Sequence, residues 1–340
     1  MDGVHMHRVV IIPGDGIGPE ITTATRRVVD ATGVAIDWLE KPAGEDAFAN
    51  FQNPLPKDTI AAIKDAGVAL KGPLTTHVGR GYRSVNVLIR KTFGLYANVR
   101  PVKSLPNVVG ALANDPKIDL VVVRENTEGL YIGRERREGD TAIAEKVTTK
   151  RASRRIAIFA FEYARRYGYQ KVTTLHKGNI LKLTDGLFLE QAQRTAERYT
   201  DIEHQDMIAD IGMASIAVWP TDYDVILTQN LNGDYLSDIT ALIAWLSVGL
   251  GPSGQYGKHV AIFEAIHGTA PSIAGKGVAN PTGLLRSAVL LLRHLNEDDA
   301  ANRMDRAIER VYEKGSVRTG ELGGSATTIE FADAVIAEMK

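Results

Sequence analysis

One repeating pattern constrains this chain more than any other. A short β-branched run is followed by polar residues and then by a longer helical stretch. Runs at 8–12, 68–70, 120–123, 172–175, 225–227 and 260–263 read as strands. Stretches at 19–30, 59–66, 86–92, 152–166, 185–199, 235–247, 282–294, 298–313 and 328–339 read as helices. Their apolar residues recur at three- and four-residue steps, as in Ala300, Met304, Ala307, Ile308 and Val311. Pro19 stands in a first helical turn, where a missing N–H costs nothing. Such alternation predicts an α/β layered fold with a largely parallel sheet.

Four of the strand runs end in polar clusters. They are Arg124-Glu125-Asn126, His176-Lys177-Gly178-Asn179, the segment from Gln229 to Asp234, and Glu264 followed by His267-Gly268-Thr269. Ligands of open α/β sheets bind beyond the carboxyl ends of strands, so these clusters are the candidate site.

The chain's 340 residues predict about two domains. With 40 basic and 41 acidic residues, the net charge of −1 argues against a nucleic-acid or anionic-membrane surface as the main partner. There are no cysteines, which excludes disulfides, iron–sulfur clusters, thiolate zinc sites and a cysteine nucleophile. No apolar stretch approaches the roughly 18 residues of a membrane helix. The run at 9–12 stops at Pro13, too short for a signal-peptide core. A cytoplasmic protein is expected.

Gly14-Asp15-Gly16-Ile17-Gly18 follows a strand and opens a helix. Its spacing is not G-x-G-x-x-G, and no acidic partner stands in a second strand, so a standard Rossmann site is not expected. Arg83, Arg90, Arg100 and Arg124 are candidates for carboxylate binding through the two-pronged guanidinium fork. Each alone reads equally as a surface or helix-pairing arginine; converging, they would suit a polycarboxylate. Asp206 and Asp210, like Asp234 and Asp238, are four residues apart. On a helix each pair would share one face and repel, a cost that Mg²⁺ or Mn²⁺ would remove. The same residues also read as an N-cap and a solvated carboxylate. Lys177 could serve as a base, and Tyr131, seven residues after Arg124, could donate a proton near the same site. The small-residue loop His267-Gly268-Thr269-Ala270-Pro271 would let backbone amides approach a phosphate or adenosine, or form a plain turn.

Together these segments resemble the β-decarboxylating dehydrogenases, the family of isocitrate, isopropylmalate, homoisocitrate and tartrate/D-malate dehydrogenases. The resemblance runs nearly end to end through IPGDGIGPE at 12–20, KGPLTT at 71–76, RSVNVLIRKTFGLYANVRP at 83–101, RENTEGLY at 124–131, HKGNILKLTDG at 176–186, NLNGDYLSD at 230–238, HGTAP at 267–271 and ANPTG at 279–283. It implies a two-domain α/β fold with a mixed, largely parallel sheet, distinct from a Rossmann fold. The implied large, cofactor-side domain is 1–98 with 246–340. The small domain is 99–128 with 150–245, and 129–149 would form a clasp-like arm.

The wording leans to an NAD-dependent isocitrate dehydrogenase, while 134–150 is similar to homoisocitrate enzymes. The resemblance implies that Ser84, Asn86, Arg90, Arg100 and Arg124 bind the substrate. Asp234 and Asp238, with Asp206 from a second protomer, would hold Mg²⁺ or Mn²⁺. Lys177, also from the partner and beside Asp210, would take the hydroxyl proton, and Tyr131 would protonate the enolate carbon. Thr76, His267, Gly268, Thr269, Ala270, Ser272, Ile273 and Asn280 would bind NAD. Ser272-Ile273 lacks both the Lys-Tyr of NADP users and the acidic residue usual in NAD users, so NAD with modest discrimination is expected. A shared site implies a homodimer. Presence of every site group argues against a non-catalytic, regulatory role.

Overall fold

The computed structural model describes residues 6–76, 82, 84–112 and 116–340. Arg83 lies outside them. The chain begins with β1 (His7–Ile12), α1 (Gly18–Asp30), β2 (Ile36–Glu40), α2 (Glu45–Phe51), α3 (Lys57–Ala66), β3 (Val68–Lys71) and α4 (Val85–Phe93). Next come β4 (Ala97–Lys103), β5 (Asp119–Glu125), β6 (Glu135–Glu138), β7 (Thr141–Ala144), α5 (Lys150–Tyr167) and β8 (Lys171–His176). These lead into α6 (Thr184–Ala196), β9 (Glu203–Ile208), α7 (Ala209–Val218), β10 (Val225–Thr228) and α8 (Asn230–Trp245). The chain closes with β11 (Pro252–Tyr256), β12 (Ala261–Ala265), α9 (Thr282–His294), α10 (Asp298–Lys314) and α11 (Thr328–Glu338).

Two compact units result. The first comprises Met1–Phe93, Leu105–Val109 and Ser247–Lys340. Its strands lie in the order β2-β1-β3-β12-β11, with only the β11–β12 pair antiparallel. Val9, Val10, Ile12, Leu70 and Phe263 fill the sheet. Helix α9 is apolar around most of its circumference, and Thr282 through Leu292 are buried. A helix of that pattern belongs inside a core rather than on a surface.

The second unit comprises Gly94–Ser104 and Gly110–Leu246. Its order is β4-β5-β10-β8-β9, with β4 antiparallel to β5 and the rest parallel. Helix α5 is anchored at both ends: Thr149 Oγ1 accepts from Ala152 N at 3.2 Å, and Gly168 closes it at φ +77°. A glycine tolerates that left-handed C-cap without a Cβ penalty. The charged strand β6 and the uncharged β7 pair antiparallel as an exposed two-stranded ribbon, with a backbone bridge from Gly129 to Val147 at its base.

The fold is therefore the mixed, largely parallel α/β type expected from the sequence. Helix α8 starts earlier than expected, at Asn230, so the polar segment after β10 is its first turn and not a loop. Asp206 lies on strand β9 and Asp210 opens α7, so those two carboxylates do not share a helix face. A strand that ends between them breaks the 3.6-residue period on which that expectation rested.

Candidate active site

At the carboxyl end of β5, Arg124 is fully buried. Its Nε and Nη2 both donate to Asn230 Oδ1, at 2.9 and 2.7 Å. Its Nη1 pairs with Asp234 Oδ1, and Arg100 Nη1 on β4 lies 3.5 Å from the same oxygen. Tyr131 OH donates to Asp234 Oδ2 at 2.5 Å, beneath the Arg124 guanidinium 5.1 Å from the ring centroid. A guanidinium fork held by two acceptors cannot swing, so its charge is fixed in direction. Gly233 makes this approach possible: a Cβ there would stand 2.6 Å from Arg124 Cγ.

Burial raises the Tyr131 phenol above its ordinary pKa, and the bond to Asp234 adds to that. The group is a protonated donor at neutral pH. Burial likewise raises the Asp238 carboxyl, with Arg100 opposing and Asp234 reinforcing the shift. Asp234 and Asp238 sit one turn apart on α8, as expected. Two adjacent carboxylates, one penalised by burial and by its neighbour, form an all-oxygen set that suits a hard divalent cation. Among the described residues no group of three such ligands converges within the chain.

The third expected ligand stands elsewhere in this unit. From Arg124 the register passes to Thr228, Leu175 and Met207, three strand spacings or roughly 14 Å. There Asp206 Oδ2 lies 3.1 Å from His176 Nε2. His176 Nδ1 accepts from Gly178 N at 3.0 Å, so Nε2 carries the proton and donates to Asp206. Beside it, Lys177 Nζ donates to Asp210 Oδ1 at 2.6 Å. That bond holds the Asp210 carboxyl below the usual carboxylate range. The expected residues thus form two groups: Arg100, Arg124, Tyr131, Asp234 and Asp238 in one, Lys177, Asp206 and Asp210 in the other.

The other expected residues lie in the first unit. Ser84 precedes α4, its Oγ 3.1 Å from Thr76 Oγ1 and 3.5 Å from the Val87 amide. Asn86 keeps Oδ1 buried without a partner among the described residues. Arg90 Nε donates to Gln255 Oε1 at 3.1 Å. Gln255 in turn bonds Glu264, and Glu264 pairs with the buried Lys71. Glu264 was expected only as the polar end of its strand, and Lys71 and Gln255 were not singled out from the sequence; their signal was the presence of polar residues on strands otherwise buried.

A cavity of about 370 Å³ in this unit is lined by the expected His267, Gly268, Ala270, Ile273 and Asn280. His267 Nε2 is buried there without a partner among the described residues, and burial lowers the imidazole pKa, keeping it neutral. An apolar pocket with an orphaned polar atom fits a nucleoside. Thr269 and Ser272 do not line it. Thr269 O instead accepts the Ile17 amide at 3.0 Å. The glycine loop explains why its fingerprint fails: at Gly16, φ +60°, a Cβ would lie 2.1 Å from Thr269 O. Asp15 accepts the amides of Glu45 and Thr75 at 2.8 and 2.7 Å. The loop therefore braces neighbouring loops. Ile17 and Glu321 also line the cavity, and sequence reasoning missed both. Glu321 Oε1 accepts from Asn280 Nδ2 at 2.7 Å and Thr319 Oγ1 at 2.8 Å, which brings an acidic residue into the pocket from far along the chain.

An arginine-bound acidic cluster in one unit and a nucleoside-sized pocket in the other are features that suit a dehydrogenase. The chain belongs to the isocitrate/isopropylmalate dehydrogenase family, whose pattern matches residues 8–335. It is 42% identical over 336 residues to an isocitrate/homoisocitrate dehydrogenase of Thermus thermophilus, covering 98% of this chain and 99% of that protein. It is 41% identical over 334 residues to a mitochondrial regulatory subunit of the NAD isocitrate dehydrogenase of Dictyostelium discoideum, covering 97% and 91%. The crystal structure of isocitrate dehydrogenase from Methylococcus capsulatus superposes with a TM-score of 0.93 at 44% identity, covering 98% and 99%.

Proposed function

We propose that this protein catalyses the oxidative decarboxylation of isocitrate to 2-oxoglutarate and CO₂, with reduction of NAD⁺ and dependence on Mg²⁺ or Mn²⁺, as a cytoplasmic homodimer with shared sites. The observation that carries the reading is the arginine-bound cluster around Asp234, with Tyr131 as a protonated donor within it. Arg90, Arg100 and Arg124 supply cations for a tricarboxylate, and Ser84 and Asn86 add neutral polar groups. Asp234 and Asp238, with Asp206 of a second copy, would hold the metal. When bound, the metal polarises the oxidised carbon's oxygen and NAD accepts the hydride. Lys177 removes the hydroxyl proton, with Asp210 holding its amine in place. Tyr131 OH delivers the proton to the carbon vacated by CO₂.

Self-association is supported by apolar side chains exposed on α7 and α8, namely Ile211, Val218 and Leu242, with Trp219 just beyond α7. The ribbon of β6 and β7 supports it as well, since a lone two-stranded hairpin is marginally stable in water. We assign 129–149 as the clasp, 1–98 with 246–340 as the cofactor-side domain, and 99–128 with 150–245 as the dimerisation domain. Glu321 supports NAD over NADP, since its charge opposes a 2′-phosphate.

NADH formation from isocitrate, Mg²⁺ and NAD⁺ with an EDTA control tests the activity. Turnover with homoisocitrate in place of isocitrate supports the substrate named for the Thermus relative. No turnover with either, or with D-malate, supports the regulatory role named for the Dictyostelium relative. A higher kcat/KM with NADP than with NAD overturns the cofactor assignment.

A further inference from the structure

We infer that Asp185, held by Lys146, is a positioning residue that fixes the turn bearing Lys177; this rests on the reading of Lys177 as the group that takes the substrate's proton. Asp185 lies in the first turn of α6 and is completely buried. A buried carboxylate is costly unless its charge is compensated and its oxygens are bonded. Lys146 Nζ supplies the charge at Oδ1, and Thr184 Oγ1 adds a bond to the same atom at 3.3 Å. The other oxygen, Oδ2, accepts the backbone N–H of Lys177 at 2.8 Å.

The direction of that bond separates the role from ordinary helix capping. The residue preceding α6, Leu183, makes no side-chain cap. Asp185 Oδ2 instead reaches back across the turn to the lysine. Lys177 O accepts the amides of Ile180 and Leu181 at 3.0 and 2.8 Å. Both backbone polar groups of Lys177 are therefore tied, and its side chain starts from a fixed Cα. Lys146 does more than neutralise Asp185. Its Nζ also donates to Gln229 Oε1 at 2.7 Å, on the residue that precedes α8. Gln229 Nε2 reaches Thr148 Oγ1 at 3.3 Å. One ammonium thus joins the ends of β8 and β10, the two strands that lead to Lys177 and to Asp234.

A double-mutant cycle tests the inference. kcat and KM are measured for wild type, Lys177→Met, Asp185→Ala and the double variant. Asp185→Ala is expected to lower kcat by at least about tenfold, because misplacing a reacting group by an ångström costs up to a hundredfold. KM for isocitrate should move less than about threefold, since ground-state contacts are untouched. In the Lys177→Met background the same change should lower kcat less than about twofold further, the signature of residues acting through one another. Lys146→Met should reproduce the loss and Lys146→Arg restore part of it. Because Lys146 is partly exposed, this pair carries the cycle if Asp185→Ala does not fold. Losses that multiply in the double variant would mean a general structural role and overturn the inference. Full activity of Asp185→Ala beside an inactive Lys177→Met would overturn it too, leaving the proton role of Lys177 intact. An active Lys177→Met would instead overturn the reading beneath it.

Discussion

The two halves of the candidate site are built differently. Around Arg124 the cations are enclosed: the Arg124 guanidinium is fully buried and Arg100 nearly so, Asp234 takes bonds on both oxygens, and Tyr131 lies beneath. Around Lys177 the cation stands open, its side chain 34% exposed and that of its partner Asp210 64%. The first half is preorganised within one chain, where fixed charges in a low dielectric act strongly. The second is a set of groups presented outward from a strand end. A difference of this kind is what a site completed by another molecule would require. It also separates which substitutions should disable a chain's own site from those that should disable a neighbour's.

The sharpest way to break the comparison is to mix protomers. Lys177→Met alone should lower kcat by about 10³-fold, within the range for loss of an acid–base group. Asp234→Asn alone should raise the Mg²⁺ needed for half-maximal rate at least about tenfold, by analogy with other damaged metal shells. Refolded together, the two should recover about a quarter of wild-type activity, since half the dimers are mixed and each holds one intact site. Failure of the mixture to recover, with mixed dimers present, would place all of these groups in one chain's own site.

A smaller effect concerns the exposed apolar side chains. Trp219→Lys or Leu242→Glu should shift the protein toward monomer in sedimentation velocity, and activity should fall in step with the monomer fraction. An active monomer would contradict sharing. The smallest effect is at Asp210. Its folded pKa is depressed by Lys177, so the pair contributes stability above the unfolded value near ~4 and loses it as pH falls through the lower folded value. Asp210→Asn should therefore lower Tm slightly near pH 8 and make no difference below the folded value, so that the acid limb of the Tm–pH profile flattens.

Much of this was legible because parallel strands buried on both faces read as unbroken apolar runs, as β1, β5 and β10 do. Strand β9, Glu203–Ile208, was not legible: it is an edge strand of mostly polar residues, and β-propensity carries little signal there. Strand β4 hides behind Arg100 and Pro101, which read as motif and breaker. Helix α7 was overlooked because its exposed face is apolar, so no amphipathic period stands out. In the site, spacing located Asp234 and Asp238 correctly on one helix, and misplaced Asp206 and Asp210 for want of a strand boundary. Glu321 was not singled out, since its place in the cavity depends on packing between segments far apart in sequence.

The strand order of the first unit has a consequence for synthesis. Strand β3 pairs on one side with β1, already made, and on the other with β12, which emerges nearly two hundred residues later. At ribosomal speeds the second edge of β3 stays open for roughly ten to forty seconds. That edge is Val68–Lys71, three apolar residues and a lysine, fully buried once the chain is complete. The middle of the chain, Gly110–Leu246, emerges in the meantime and carries most of its own strands with it. The nascent protein therefore passes through a stage in which one sheet half-waits, its unpaired backbone open to other strands. Truncation before β12 should yield a chain that aggregates, whatever the state of its catalytic residues.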